Sequence, residues 1–334
     1  MAVGLALAVL LMWLFVRQLS LAEVLDQLRR ADYRWVAVAT ILTLLVNVHR
    51  AWRWHYLLLP IKPIGLGTLT SATFIGWAFI TLLGRVGELA RPVFVARREN
   101  VSTTAALATV VLERMFDLIS VLSILAVYLL FFPLPTAIDP DSAWIIPQMR
   151  LAGLASLAGL VVAATFLTAA QLAPRRTDAL MVRIMGLLPG GVGDRILPLA
   201  RSFLSGFAGI RSPRLTITIA VHSVLIWLNI LVTYYLLLFA FDIELPYYAV
   251  MPLIVMVVIG VMVPTPAAVG SFHVATQLAL TNLWGVPADA AAGYAIVCHA
   301  IVFVPITIIG IILLSREGLS LRGFESEAVD LEAS

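Results

Sequence analysis

The sequence predicts an all-α protein: a polytopic transmembrane helical bundle of about seven to eight spans, with one or two broken or re-entrant helices. Three observations carry that prediction. Of 334 residues, 61% are hydrophobic and only 12% are charged, and the mean hydropathy is +1.01, whereas soluble domains hold about 25% charged residues. Charge-free windows that approach the roughly 20 apolar residues needed to cross hydrocarbon take up nearly the whole chain. Most arginines gather between these windows, where loop charges orient membrane proteins. The length could hold two soluble domains, but the windows leave no room for an extramembrane catalytic domain. A single integral membrane domain is therefore expected over residues 1–320, followed by a short polar tail at 321–334.

In chain order, Ala2 to Val16 reads as a first span with its amino end outside, since no basic region precedes it and Arg17 follows. Leu21 to Leu28 sets leucine and valine at helical spacing against acids, and Arg29, Arg30 and Arg34 follow, the pattern of an interfacial amphipathic helix. Further spans are expected at Trp35 to Leu58, Leu66 to Leu83 continuing through Val95, Ala105 to Phe132, Leu151 to Ala170, Leu215 to Phe241, and Ala290 to Ser315. Between Leu245 and Ala288 there is no formal charge, yet Pro264-Thr265-Pro266 and then Gly270 interrupt the run. A helix does not continue smoothly through that element. Two arms that enter and leave on one side, or two full crossings, both satisfy it.

Loop charge favours the first option. Arg97 and Arg98, the group from Arg175 to Arg214, and Arg316 with Arg322 mark cytoplasmic segments, while Pro133 to Pro147 and Phe241 to Pro246 contain no basic residue. The parity then requires the Pro264 segment to return to the outer side, giving about seven crossings and one re-entrant pair. Gly84-Arg85-Val86-Gly87-Glu88-Leu89 also resembles Ala267-Ala268-Val269-Gly270-Ser271-Phe272. Paired interrupted helices of this kind occur in transporters.

Charges inside the apolar runs locate the candidate site. Glu113, Arg114 and Asp117 lie within Ala105 to Phe132, and Arg85, Glu88 and Arg91 follow Leu66 to Leu83. A charged side chain near a bilayer centre costs about 2.5–3.5 kcal/mol on insertion scales and normally faces a bundle interior, a cavity or a substrate path. Arginine is the best phosphate partner, because its planar guanidinium donates two parallel bonds and stays charged in apolar surroundings. Arg85, Arg91 and Arg114 are accordingly the expected headgroup contacts, oriented by Glu88, Glu113 and Asp117. On helices, Glu113 and Asp117 share a face, as do Glu88 and Arg91. The competing reading makes these residues ion pairs that lock helices together.

Elsewhere the bland readings win. Arg50 and Arg53, beside Trp52 and Trp54 near a span end, read as interfacial anchors. His222 and His299 read as packing residues, while His273 is balanced between packing and proton transfer. No His-Glu-x-x-His pair or cysteine cluster points to zinc, and Cys298 is the sole cysteine. Gly190-Gly191-Val192-Gly193-Asp194 lacks the lysine of a nucleotide-binding loop and reads as a turn. Asn100-Val101-Ser102 fits a glycosylation sequon in a segment expected to be cytoplasmic. The formal charge of +3, carried almost wholly by arginine since Lys62 is the only lysine, fits anionic headgroups and not nucleic acid. No cofactor is expected.

The run from Gly84 to Leu118, GRVGELARPVFVARRENVSTTAALATVVLERMFDL, resembles the first signature of the flippase-like family that includes the transmembrane region of lysylphosphatidylglycerol synthases. Gly87, Glu88, Arg91, Glu113, Arg114 and Asp117 match it. The second signature, Pro-x-Pro-Gly-Gly-x-Gly-x-x-Glu, is similar to Pro264 to His273, with Pro264, Pro266 and Gly270 in place. Ala267 and Ala268 replace its two central glycines, and His273 replaces its glutamate. The amphipathic helix and His49-Arg50-Ala51-Trp52-Arg53-Trp54 resemble the family too. The resemblance implies a multi-pass cytoplasmic-membrane protein that moves a phospholipid or a polyprenyl-phosphate-linked lipid across the bilayer. It also implies no lipid aminoacylation by this polypeptide, because the chain ends at Ser334 without the synthase domain. Two other classes stay open: an intramembrane Mg-dependent lipid-phosphate transferase built on Glu113 and Asp117, and a non-transporting scaffold for a neighbouring lipid or glycan enzyme.

Overall fold

The computed structural model describes residues 2–17, 19–133 and 212–317, together with positions 147, 151, 153–155, 157–162, 165 and 197. The described residues form ten α-helices with fully described bounds: α1 (Ala2–Val16), α2 (Leu21–Arg30), α3 (Tyr33–Leu58), α4 (Leu66–Leu83), α5 (Ala90–Glu99), α6 (Thr103–Phe131), α7 (Pro213–Phe239), α8 (Val250–Met262), α9 (Ser271–Trp284) and α10 (Ala288–Arg316). No strand occurs among the described residues. The span expected at Leu151 to Ala170 is described only in part. The glycine turn at 190–194, the arginines from Arg175 to Arg211 and the polar tail lie outside the described residues.

Local sequence sets the helix ends. Ser20 accepts from the Glu23 amide to open α2, and Asp32 accepts from the Arg34 amide to open α3. Ser212 caps α7, where Pro213 takes the first-turn position that wastes no amide donor. Asn100 ends α5 in the left-handed conformation and Ser102 opens α6, so the residues of the apparent sequon form the joint between two helices.

Among the described residues, four helices, α3, α6, α7 and α10, are long and apolar enough to cross a membrane. The remaining apolar helices are shorter, and two pairs of them form hairpins. Leu66 to Val95 is not one continued span. Gly84 adopts φ +70°, residues Gly84–Leu89 form a 3-10 turn, and α5 doubles back along α4. Gly87 makes that reversal possible, since a Cβ there would sit 2.3 Å from the Phe79 carbonyl carbon. Lys62, just before α4, bonds the Glu99 carboxylate at 3.1 Å, so the hairpin starts and finishes at one end of the bundle.

The second hairpin pairs α8 with α9 and opens at the opposite end, where the Tyr248 and Trp284 rings stand 5.9 Å apart. Its tip is the Pro264 to Gly270 break, with a 3-10 turn at Pro266–Ala268. The two 3-10 turns touch, and the second also packs on α4. The segments that resemble each other in sequence are thus the tips of two oppositely directed hairpins meeting inside the bundle. Helix α10 runs past both, with Gly310 pressed so closely on α4 that a Cβ would lie 2.3 Å from the Phe74 carbonyl oxygen.

The placement of α1 corrects the expectation for it. Gly4 lies beside Pro264 at the hairpin tip, Phe15 lies on His273, and the Ser20 amide donates to Asp289 Oδ1 at 3.3 Å. Asp32 N donates to Ala240 O at 2.9 Å. Val16, Arg17 and α2 therefore sit at the same end as the base-free segment 241–246, opposite Arg97 and Arg98. A short apolar helix has no charge pattern of its own that fixes its direction, and packing against the Pro264 break decides it.

Candidate functional site

Six ionised side chains from three helices converge inside the bundle. From α3 come Arg50 and Arg53, from α5 Arg91, and from α6 Glu113, Arg114 and Asp117. Glu113 and Arg53 are 0% exposed, and Arg50, Arg91 and Asp117 are 7% exposed each. Glu113 and Asp117, one turn apart, fall on the inward face of α6, as the helical spacing requires. Thr103 begins that helix, so 11 rises of about 1.5 Å place Arg114 roughly 16 Å along it, well inside a helix long enough to cross a membrane.

Each carboxylate is held by several guanidinium groups. Arg91 donates through Nη1 and Nη2 to the two oxygens of Glu113, both at 3.0 Å. Arg114 Nη2 reaches Glu113 Oε1 at 2.8 Å and stands 3.4 Å from Asp117 Oδ2. Arg53 Nη1 donates to Asp117 Oδ1 at 2.8 Å, and its Nη2 is 3.3 Å from Glu113 Oε1. Arg50 Nη1 donates to Asp117 Oδ2 at 3.2 Å. Neutral residues complete the shell: Ser223 Oγ accepts from Arg53 at 2.9 Å and Trp227 Nε1 donates to Asp117 at 3.3 Å, both from α7. The Trp54 ring lies 3.8 Å from the Arg91 guanidinium carbon and bonds Thr109 through its Nε1 at 2.9 Å.

The charges do not cancel. Among the described side chains, four guanidinium groups meet the carboxylates of Glu113 and Asp117, and even with Glu88, which lines the cavity beside Arg114, three acids stand against four arginines. A cluster built only to bridge helices would be expected to balance, because each uncompensated charge at this depth costs several kcal/mol. The buried Arg53 Nε and Arg91 Nε, moreover, have no hydrogen-bond partner among the described residues. Arg114, with 42% of its side chain exposed, connects the cluster to a small open recess whose lining includes Glu88, Arg91, Trp77 and Ile80. Among the described side chains, the cluster is a buried, arginine-rich centre in which Arg114 is the guanidinium most open to its surroundings.

Of the six residues expected from the sequence, Arg91, Glu113, Arg114 and Asp117 come together, and Glu88 lines the cavity beside them. The Arg85 side chain lies outside the described residues. The helical pairing of Glu88 with Arg91 gives way to Arg91 with Glu113, because a 3-10 turn separates Glu88 from α5. Arg50 and Arg53 are not interfacial anchors: they lie inward with Trp54, and of this group Trp52 is the one left 47% exposed. The missed signal is their spacing. Arg50 and Arg53 recur at one turn within an apolar run, as Glu113 and Asp117 do in another, and opposite charges at matching spacing can face each other across two helices.

The Pro264 to His273 element is a separate locus. Ala267 and Ala268 hold φ of 51° and 54°, and Gly270 holds φ of 82°. The replaced glycines thus occupy left-handed positions, where alanine is strained by about 1–2 kcal/mol. The ring of buried His273 lies tilted against that of His299 with centroids 4.6 Å apart, and His299 Nε2 contacts Ala267 O at 2.9 Å. His222 is bonded to His49 at 2.7 Å.

The family described as lysylphosphatidylglycerol synthase TM region matches residues 1–310. No curated protein and no solved structure matches the chain.

Proposed function

The chain belongs to the lysylphosphatidylglycerol synthase TM region family, and from that premise we propose that it carries an anionic lipid across the membrane, with Arg114 receiving the headgroup at the mouth of the cluster. The observation that supports this reading is the excess of buried guanidinium over carboxylate, with Arg114 open to a cavity that also holds Glu88. A phosphate-bearing headgroup leaving water needs donors to replace its hydration, and unpaired polar groups in hydrocarbon cost several kcal/mol each. Fixed guanidinium groups supply such donors, and the surrounding carboxylates keep them from moving with the ligand. In this reading the two broken hairpins are re-entrant from opposite sides, and their touching tips separate two access routes. In this orientation Lys62, Arg97, Arg98, Arg214 and Arg316 lie at the cytoplasmic end, and the outer end carries Asp32, Asp242 and Asp289 beside Arg17, Arg29, Arg30 and Arg34.

The transferase reading asks Glu113 and Asp117 to bind Mg²⁺, but both carboxylates already accept from two or more guanidinium groups. No group of three or more potential metal ligands occurs among the described residues. The decisive test reconstitutes the protein in vesicles with fluorescent phosphatidylglycerol and follows its accessibility to an impermeant quencher. Wild type should equilibrate the label across the bilayer, and folded Arg114→Gln and Glu88→Gln should not. Arg114→Lys should retain charge yet lose most of the rate, because lysine cannot make the two-point contact. Equal rates with and without protein would overturn the proposal, and full activity in Arg114→Lys would remove Arg114 from headgroup recognition.

A further inference from the structure

We propose that His49 and His222 form a proton-binding site coupled to the anion site, so that proton uptake and lipid headgroup binding favour each other. This rests on the headgroup reading of the arginine cluster. The pair spans the seam between α3 and α7, with His49 Nε2 and His222 Nδ1 2.7 Å apart. One nitrogen donates and the other accepts, so a single proton is shared and both rings can be neutral. Ionisable side chains at such a position in a membrane helix are functional by default.

Two further observations point to a cation there. Along α3, His49, Trp52, Arg53 and Tyr56 share one stripe at i, i+3, i+4 and i+7. Trp52 and Tyr56 place their rings 5.2 Å and 5.0 Å from the His222 ring, and His49 is 4.9 Å away. Aromatic walls at this range stabilise an imidazolium as they would any small cation. The next residue on α7, Ser223, takes a hydrogen bond from Arg53, which also holds Asp117 and Glu113. The histidine pair is thus the outer edge of the same seam whose inner edge is the cationic cluster.

The electrostatic consequence follows from what else faces the pair. From α3 the nearby charges are Arg50 and Arg53, while the acids and arginines of α6 and Arg91 of α5 lie behind them. Helix α4 carries no charged residue, and on α10 they are confined to Asp289 and Arg316 near its ends. With the anion site empty, arginines beside the pair oppose a second proton. An anion at Arg114, which shares Glu113 and Asp117 with Arg53, leaves those carboxylates freer to neutralise Arg53 and so weakens the opposition. By reciprocity the proton must raise anion affinity by the same factor.

The test measures binding of dihexanoyl phosphatidylglycerol to the purified full-length protein by calorimetry between about pH 8 and pH 5.5, where imidazole changes charge. Wild type should bind about tenfold more tightly at the acidic limit, within the usual range of coupling between sites. His222→Gln and His49→Gln should bind as wild type does at pH 8 and lose the acid enhancement. Nitrogen-15 spectra of the imidazoles should show the pair gaining a proton on lipid addition at pH 6, which a purely structural hydrogen bond would not. Binding that is tight, depends on Arg114 and is flat with pH would overturn the coupling and leave the headgroup site standing. No binding at any pH would overturn both. If one variant fails to fold, the other and the wild-type spectra decide.

Discussion

Arg91 and Glu113 form a two-point ion pair across α5 and α6, with both contacts at 3.0 Å and the Trp54 ring closing the outer face of the guanidinium. The pair fastens the returning arm of the first hairpin to a membrane-length helix. Removing one partner strands the other charge, which in buried pairs costs about 3–5 kcal/mol, whereas replacing both by apolar residues can be nearly neutral. Arg91→Met or Glu113→Leu alone should therefore lower the melting temperature in detergent sharply, and the double variant should recover much of the loss. Additive losses would show that Glu113 is held chiefly by Arg53 and Arg114.

Ala267 and Ala268 sit at φ 51° and 54°, in the region that glycine occupies without a Cβ penalty. Ala267→Gly should stabilise the protein by up to about 1 kcal/mol: the relief of left-handed strain exceeds the entropy that glycine adds to the unfolded chain. A thermal unfolding series on both single variants checks this, and a fall in stability would mean that the alanine side chains contribute packing that outweighs the strain.

Gly87 and Gly310 permit close backbone approach rather than a special conformation. A Cβ at either would come within 2.3 Å of a backbone atom, on Phe79 and Phe74 respectively. Backbone cannot rotate away, so Gly87→Ala and Gly310→Ala should each cost at least the 1–3 kcal/mol typical of overpacking. Gly65→Ala, with nothing within 4 Å of its added Cβ, carries no overpacking cost; as the N-cap of α4 it should lose only the capping preference, and less stability than either of the other two.

Glu23 on the exposed face of α2 hydrogen-bonds Asp289 at the start of α10, which raises its carboxyl above the usual range; repulsion from the Asp289 charge adds to this. A folded pKa raised above the unfolded value gives stability that is complete at lower pH and is lost as pH rises through the raised value. Docking of α2 on α10 should accordingly tighten on acidification into the carboxylate range. Hydrogen exchange of the α2 amides should slow as pH falls, after correction for intrinsic rates, and Glu23→Gln should abolish that trend.

Much of this molecule is legible along the chain. Hydropathy identified the long helices because burial in lipid is decided residue by residue, and Ser20, Asp32, Ser102 and Ser212 announce helix starts because capping is local. The break at Pro264 and the cost of Glu113, Arg114 and Asp117 inside an apolar run were equally visible. The reversal at Gly84 was not, since Gly84 to Leu89 reads as a continuation until Gly87 is seen against the backbone of Phe79.

What the sequence determined by itself is the membrane class, the places where helices must break, and the need for every intramembrane charge to find a partner. Which partner each charge finds was decided only by the tertiary structure. Arg53 meets Asp117 across 64 positions of chain and Arg91 meets Glu113 across 22. The physical reason is that transfer into lipid is a sum over single residues, whereas Coulomb and hydrogen-bond energies depend on distances that only the packed helices set.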